Sequence, residues 1–294
     1  ADSLSALAFM LGHEFSHALD AGQQGSAFRS NFWAYSRQPG SSAEQEKNSD
    51  LRGAFMAHLA GYRILSIVPA LIKRLYAAYP EQNPSAGYPS ETERQHTAIQ
   101  VQGLVDTMIQ VFEAANYLLA TGQSDMAAVC YDHVLQTYHN PEIWNNFGIA
   151  CALEALQLPG SDGLVYPFEL DWQLRLSRPR GAIPTEEQLR KREMLLQRSK
   201  EAFAAATKLA PHHFFAQANA WCVGVIAGDA LAVRRAMERF SSTSKMSRVE
   251  AEQWMLIHAL AAARSGDSAE AEQTLADLSA SADPGTAVLA RYNK

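Results

Sequence analysis

The sequence predicts a mainly α-helical protein: a helical core at the N-terminal end followed by paired helices. Three observations carry that expectation. Valine, isoleucine and threonine never alternate with polar residues over a long run, and hairpin dipeptides are few. Leu4, Leu7, Leu11 and Phe15 recur at helical spacing. From about residue 95 the chain is alanine-rich and punctuated by Gly122, Gly228-Asp229 and Gly266-Asp267, which suit turns between helices.

The elements follow in order. Gly22 and Gly25 close a first helix, and a Ser/Gln/Gly-rich loop over 36–43 leads to a second helix near 44–62. A third helix precedes Pro80, Pro84 and Pro89. Further on, Trp144 and Gly148 stand four apart, and Phe203, Ala206 and Pro211 are spaced by three and then five. These resemble the first-helix and second-helix signatures of a tetratricopeptide (TPR) repeat. An insertion over about 158–183, with Tyr166-Pro167-Phe168 and Arg178-Pro179-Arg180-Gly181, separates them. The expected division is a first domain over 1–100 and a TPR-like helical-hairpin domain, an α-solenoid, over 101–294.

Bulk properties narrow the function. The chain has 294 residues, and 47% of them are apolar, enough for a substantial core. A net charge of −6 and the lack of a long basic run argue against a nucleic-acid surface. Cys130, Cys151 and Cys222 are far apart, odd in number and without C-x-x-C spacing, so they read as small buried hydrophobes. The longest apolar run, Ile64 to Ile72, is broken by Ser66 and Pro69 and is too short to span a bilayer. The chain starts at Ala1 rather than Met and enters a helix at once, so an N-terminal part is expected to be missing.

The chemistry is concentrated in His13-Glu14-Phe15-Ser16-His17. Two histidines at i and i+4 put both imidazoles on one helix face, one turn apart, where they can share a Zn²⁺. Glu14 then lies beside the metal and can take a proton from its bound water. A catalytic zinc wants a third protein ligand and an open fourth position. Glu46 and Asp50 are again one turn apart: Glu46 can ligate, while Asp50 reaches a ring N–H of a ligand histidine. Gly53 follows three residues later, where a small residue lets helices approach closely, and Ala54, Ala57 and Gly61 continue that face. Glu44 is a weaker candidate, since Asn48 stands at its i+4 position. A metzincin reading requires Gly at 20 and His or Asp at 23, where Asp20 and Gln23 stand.

Taken together, these elements resemble the HtpX/BepA-type gluzincin peptidases. Their cores read H-E-x-x-H, then E-x-x-x-D-x-x-G, an A-G-Y turn and H-P-x-x-x-x-R. This chain has His13-Glu14-x-x-His17, Glu46-x-x-x-Asp50-x-x-Gly53, Ala60-Gly61-Tyr62 and Tyr88-Pro89-x-x-x-x-Arg94, in the same order. BepA-type members also carry a C-terminal TPR domain. The resemblance implies a zincin-type helical peptidase core and a zinc metalloendopeptidase acting on protein substrates, with a protein partner for the repeats. It implies His13, His17 and Glu46 as zinc ligands, Glu14 as catalytic acid and base, and Asp50 behind the ligands. Tyr88 replaces the family's histidine, and its hydroxyl can donate to an oxyanion. Arg94 keeps its place, to orient a site carboxylate or contact substrate. The family has a substrate-binding strand upstream of the first motif, and only twelve residues precede His13 here. The implied location is a bacterial cell envelope, facing the periplasm. Neprilysin-type peptidases also resemble the segment from Gly12 to Asp20 but lack the Tyr-Pro…Arg element and the repeats. The alternative function is a non-cleaving, chaperone-like TPR module with a remnant metal site.

The remaining features have plainer readings. His58, His96, His133, His139, His212, His213 and His258 are scattered and read as surface or satisfied core residues. His58 could compete as third ligand but lies two turns past Asp50. Trp144, Trp221 and Trp254 read as packing residues of repeat helices. Arg190-Lys191-Arg192, flanked by Glu186, Glu187 and Glu193, reads as a solvated helix face.

Overall fold

A computed structural model describes residues 3–22, 42–64, 67–78, 90–159, 164–168 and 184–294. Every regular element among them is α-helical, as the hydrophobic periodicity leads one to expect. Two compact units divide the chain: residues 1–114 with 136–139, and residues 115–135 with 140–294. Among the described residues no helix is long and apolar enough to cross a membrane.

The first unit holds α1 (Ser3–Gly22), α2 (Ser42–Leu59), α3 (Val68–Ala78) and most of α4 (Glu91–Ala120). Helices α1 and α2 pack closely on each other. The contact is made by glycines: a Cβ on Gly12 would lie 2.9 Å from Gly53 Cα, and one on Gly53 would lie 2.6 Å from His13 N. Gly53 therefore has the close-approach role its spacing suggests.

The leucine spacing in α1 has a different outcome. Leu4, Leu7, Leu11 and Phe15 keep helical periodicity, but they are exposed, Leu4 at 66%. The buried face is Ser5, Phe9, Gly12, His13 and Ser16. Close backbone contact with α2 and the partnering of the histidines outweigh the bulk of the leucines in choosing which face turns inward.

At its far end α2 is anchored by Phe55, which is fully buried and meets Phe112 and Tyr138 edge-on, with ring centroids 5.9 and 4.6 Å away. Ala54 of α2, Ile64, Val68 of α3, and Val101 and Val105 of α4 line one small apolar gap. This packing fixes α4 beside α2. Helix α4 begins with a reciprocal cap: Ser90 N–H donates to Glu93 at 2.7 Å, and Glu93 N–H donates to the Ser90 hydroxyl at 3.3 Å.

The second unit is a stack of helical hairpins: α5 (Ser124–Leu135), α6 (Pro141–Gln157), α7 (Glu186–Leu209), α8 (Phe214–Ile226), α9 (Ala230–Thr243), α10 (Arg248–Ser265), α11 (Ser268–Leu278) and α12 (Pro284–Asn293). Each helix from α5 on packs against the next, and α6, α8, α10 and α12 also pack in succession. These contacts join helices that stand one or two apart in the chain. The caps are local and legible. Asn140 accepts from the N–H of Glu142 and Ile143, ahead of Pro141. Thr185 with Gln188, and Ser247 with Glu250, form capping boxes. Gly122, Gly228 and Gly266 sit at helix-helix turns with φ of 81°, 95° and 90°, a region other residues rarely adopt.

Within hairpins, small residues receive large ones. Gly148 of α6 faces the Phe203 ring of α7, and Ser199 donates to the Gly148 carbonyl at 2.6 Å. Trp221 is buried against Phe214 and Phe240, and Trp254 donates to the Met237 carbonyl. Cys151 and Cys222 are buried, and Cys130 is half-buried. Lys191 pairs with Glu154 and Arg190 with Glu186, both on the surface. Replacing Gly148 with alanine drives a Cβ to within 2.7 Å of the Phe203 ring. Gly148→Ala is expected to destabilise the chain by about 1–3 kcal/mol, with much of the loss recovered in Gly148→Ala/Phe203→Leu. Denaturant titration of both variants checks this.

Candidate metal centre

Every charged group of the site rides on a helix. His13 and His17 come from consecutive turns of α1, Glu46 and Asp50 from consecutive turns of α2, and Arg94 from the second turn of α4, just past its cap. The glycine contact between α1 and α2 brings the first four together.

The Nε2 atoms of His13 and His17 are 3.0 Å apart. Glu46 faces both: Oε2 is 3.4 Å from His13 Nε2, and Oε1 is 3.1 Å from His17 Nε2. The three side chains form the one His/Cys/Asp/Glu cluster among the described residues able to hold a metal ion. The outward nitrogens are held from behind. Asp50 Oδ1 lies 2.8 Å from His13 Nδ1, and the Ser49 hydroxyl is 3.3 Å from His17 Nδ1. A partner on Nδ1 favours the tautomer whose Nε2 lone pair points to the shared centre. The donor set and its supports therefore fit a divalent cation of the kind that imidazole and carboxylate prefer.

Arg94 closes the cluster. Its Nη1 is 2.9 Å from Glu46 Oε2, and its Nη2 donates to Asp50 Oδ1 at 3.1 Å. Arg94 thus joins Glu46 and Asp50 through the two ends of its guanidinium. Below it, Arg52 donates to the buried Ser16 hydroxyl at 3.4 Å, a second tie between α1 and α2.

Charge follows the geometry. Burial alone would push the His13 imidazole down, but Asp50 and Glu46 overcome it and hold its pKa at about 9. Burial would raise the Glu46 carboxyl; its contacts with His13 and His17 and the charge of Arg94 prevail and hold it far below the usual carboxylate range. Within the cluster the His13 imidazole thus favours its protonated form and Glu46 its ionised form.

The other expected site residues lie as follows. Glu14 is exposed, next to His13 on α1. Tyr88 and Pro89 lie outside the described residues. Gly61 forms the turn after α2 with φ of 85°, beside Tyr62, whose N–H donates to the Ala57 carbonyl. His58 stands away from the cluster, with Nε2 3.5 Å from Glu113. Sequence reasoning missed Ser49, Ser16 and Arg52. The signal for Ser49 was present: it stands at i+3 from Glu46 on the same face of α2.

No family model matches the chain, and neither the curated proteins nor the solved structures compared with it yield a match.

Two outcomes follow from the geometry. A Cβ at position 53 meets the backbone of His13, so Gly53→Ala is expected to cost about 1–3 kcal/mol and spread the cluster. Thermal unfolding of that variant, followed by circular dichroism with and without added metal, checks both effects. In metal-free protein, His13 contributes stability that is full below about pH 6.5 and is lost as pH rises through about 9. Melting temperature in chelator is expected to fall across that window, and Asp50→Asn to flatten the fall.

Proposed function

We propose that the chain is a zinc-dependent metalloendopeptidase whose hairpin stack, read as a TPR-like domain, recruits protein substrates or a partner. The observation that carries this reading is the convergence of His13 Nε2, His17 Nε2 and the Glu46 carboxylate, with both Nδ1 atoms backed. A tetrahedral zinc with ligands near 2.0–2.1 Å sets them about 3.3 Å apart. The two Nε2 atoms are 3.0 Å apart, Glu46 Oε1 is 3.1 Å from His17 Nε2, and the other oxygen, Oε2, is 3.4 Å from His13 Nε2, each within a few tenths of that edge. The resemblance to HtpX/BepA-type peptidases, in four ordered motifs, supports the same assignment.

When bound, zinc would supply Lewis acidity, lowering the pKa of a water in its open position and polarising a peptide carbonyl. The chain's residues do the rest. Glu14, exposed beside His13, accepts a proton from the attacking water and passes it to the leaving amine. Asp50 and Ser49 keep the two imidazoles turned inward. Arg94 holds Glu46 and Asp50 in register. Tyr88 donates to the developing oxyanion; its part rests on its place in the motif alone. The same resemblance puts the site of action in a bacterial cell envelope, facing the periplasm.

One observation favours a second reading. Arg94 lies 2.9 Å from Glu46, so a guanidinium already pairs with the carboxylate that a metal would use. On that reading the cluster is a structural ion-pair network and the repeats are the working part, as an adaptor or chaperone.

Metal analysis of purified chain together with its variants separates the two. One zinc per chain is expected in the parent and in Glu14→Gln, and none in His17→Ala or Glu46→Ala. Cleavage of an unfolded protein substrate is expected to fall by about 10²–10⁴ in Glu14→Gln. Undiminished cleavage by Glu14→Gln would end the peptidase reading, and a metal-free parent would favour the adaptor.

A further inference from the structure

The two oxygens of Glu46 stand in different surroundings. Oε1 is 3.1 Å from His17 Nε2. Oε2 is 3.4 Å from His13 Nε2 and 2.9 Å from Arg94 Nη1. The arginine contact is an ion pair without the alignment of a hydrogen bond. Arg94 and Glu46 are both buried, so water screens this pair weakly.

Arg94 keeps that place at a cost to its pairing with Asp50. Its Nη2 donates to Asp50 Oδ1 at 3.1 Å, while Arg94 Nε and Asp50 Oδ2 are buried with no hydrogen-bond partner. Those two atoms are the ones that a side-on fork between guanidinium and carboxylate joins, and the fork is the stronger, two-bonded arrangement. It is not made. The guanidinium spans two carboxylates instead, with one terminal nitrogen near each. Leaving buried polar atoms unpaired is unfavourable, and what the arrangement gains is a fixed positive charge against one oxygen of Glu46.

That charge discriminates between the two oxygens. A divalent cation drawn to Oε2 would share it with a guanidinium, and like charges in a buried site repel strongly. A cation drawn to Oε1 avoids that competition and still has the two histidines as partners. We propose that Arg94 is a positioning residue that limits Glu46 to one metal-binding oxygen, Oε1, and thereby keeps a coordination position open for water and substrate. The proposal rests on the metallopeptidase reading and adds to it. A glutamate that chelates through both oxygens takes two places on the ion. One whose second oxygen is tied to Arg94 takes a single place, which with two histidines leaves the open fourth position that a catalytic zinc requires.

Cobalt(II) in place of zinc tests this in the full chain, because its visible absorption is strong with four ligands and weak with five or six. The parent is expected to bind one cobalt per chain and show the strong band. Arg94→Met keeps the bulk and removes the charge. It is expected still to bind cobalt, but with a band weakened by about threefold or more as both Glu46 oxygens turn to the ion. Arg94→Lys, which can restore a cation at Oε2, is expected to bring the band back. A merely structural role for Arg94 weakens binding without changing the band of the bound form. Cobalt-loaded Arg94→Met with the parent's band therefore overturns the proposal, as does Arg94→Lys with the weakened one.

X-ray absorption at the zinc edge of the unmodified chain covers the case in which the variants do not fold. Four nitrogen and oxygen neighbours at about 2.0–2.1 Å are expected. A fifth neighbour from a second carboxylate oxygen overturns the proposal. A parent chain that takes up neither metal removes the metallopeptidase reading and this proposal together. A loaded chain with Glu46 bound through both oxygens removes this proposal alone.

Discussion

The close approach of α1 to α2 at Gly12 and Gly53 is the constraint on which the site depends. A methyl group at either position would overlap backbone of the other helix. Without it the helices can meet at a distance where ring nitrogens on one reach carboxylate oxygens on the other. Four side chains with short reach, two imidazoles, one glutamate and one aspartate, then meet without a loop supplying any of them. The cost is visible on the opposite face of α1. Small and polar residues occupy the inner side, and Leu4, Leu7, Leu11 and Phe15 are left outward. Among the described residues, packing the histidines has taken precedence over burying the leucines.

Buried charge of this kind is stable only when each group has partners. Asp50 is fully buried and serves His13 and Arg94 at once; Glu46 serves both histidines and Arg94. Arg94 is itself delivered by the capped start of α4, whose body is pinned near α2 by Phe55, Phe112 and small apolar side chains. Thus the apolar packing at one end of α2 sets the charge balance at the other.

Much of this was legible in the sequence, and the reasons differ by residue. His13, His17, Glu46, Asp50 and Gly53 could be picked out because a helix fixes which neighbours share a face, and local spacing suffices for that. The turn glycines were legible because φ near +90° leaves few choices of residue. Leu4, Leu7, Leu11 and Phe15 were legible as a helix but not as an outer face, since periodicity says which residues share a side and not which side turns inward. Arg94 could be marked, yet its ion pair with Glu46 and its hydrogen bond to Asp50, the latter 44 residues away, depend on tertiary contact. Arg52 carries no motif at all, and Ser49 shows only its i+3 spacing from Glu46. The docking of Val165 on Asn293 spans 128 residues, and composition offers no hint of it.

That last separation bears on how the chain reaches its final form. In the second unit most pairings join helices that follow one another, and such local contacts form early because little chain entropy is spent in closing them. Val165 and Asn293 must close a loop across nearly the whole stack, and the cluster that Val165 joins is not complete until α10, α11 and α12 have assembled. The segment around Val165 is therefore the last piece to settle. Until it does, Leu256, Leu275, Leu278 and Leu289 lack the side chain that completes their cluster. Two such molecules meeting at that stage can exchange segments, so the final folding step is also the point at which the chain is most exposed to pairing with a copy of itself.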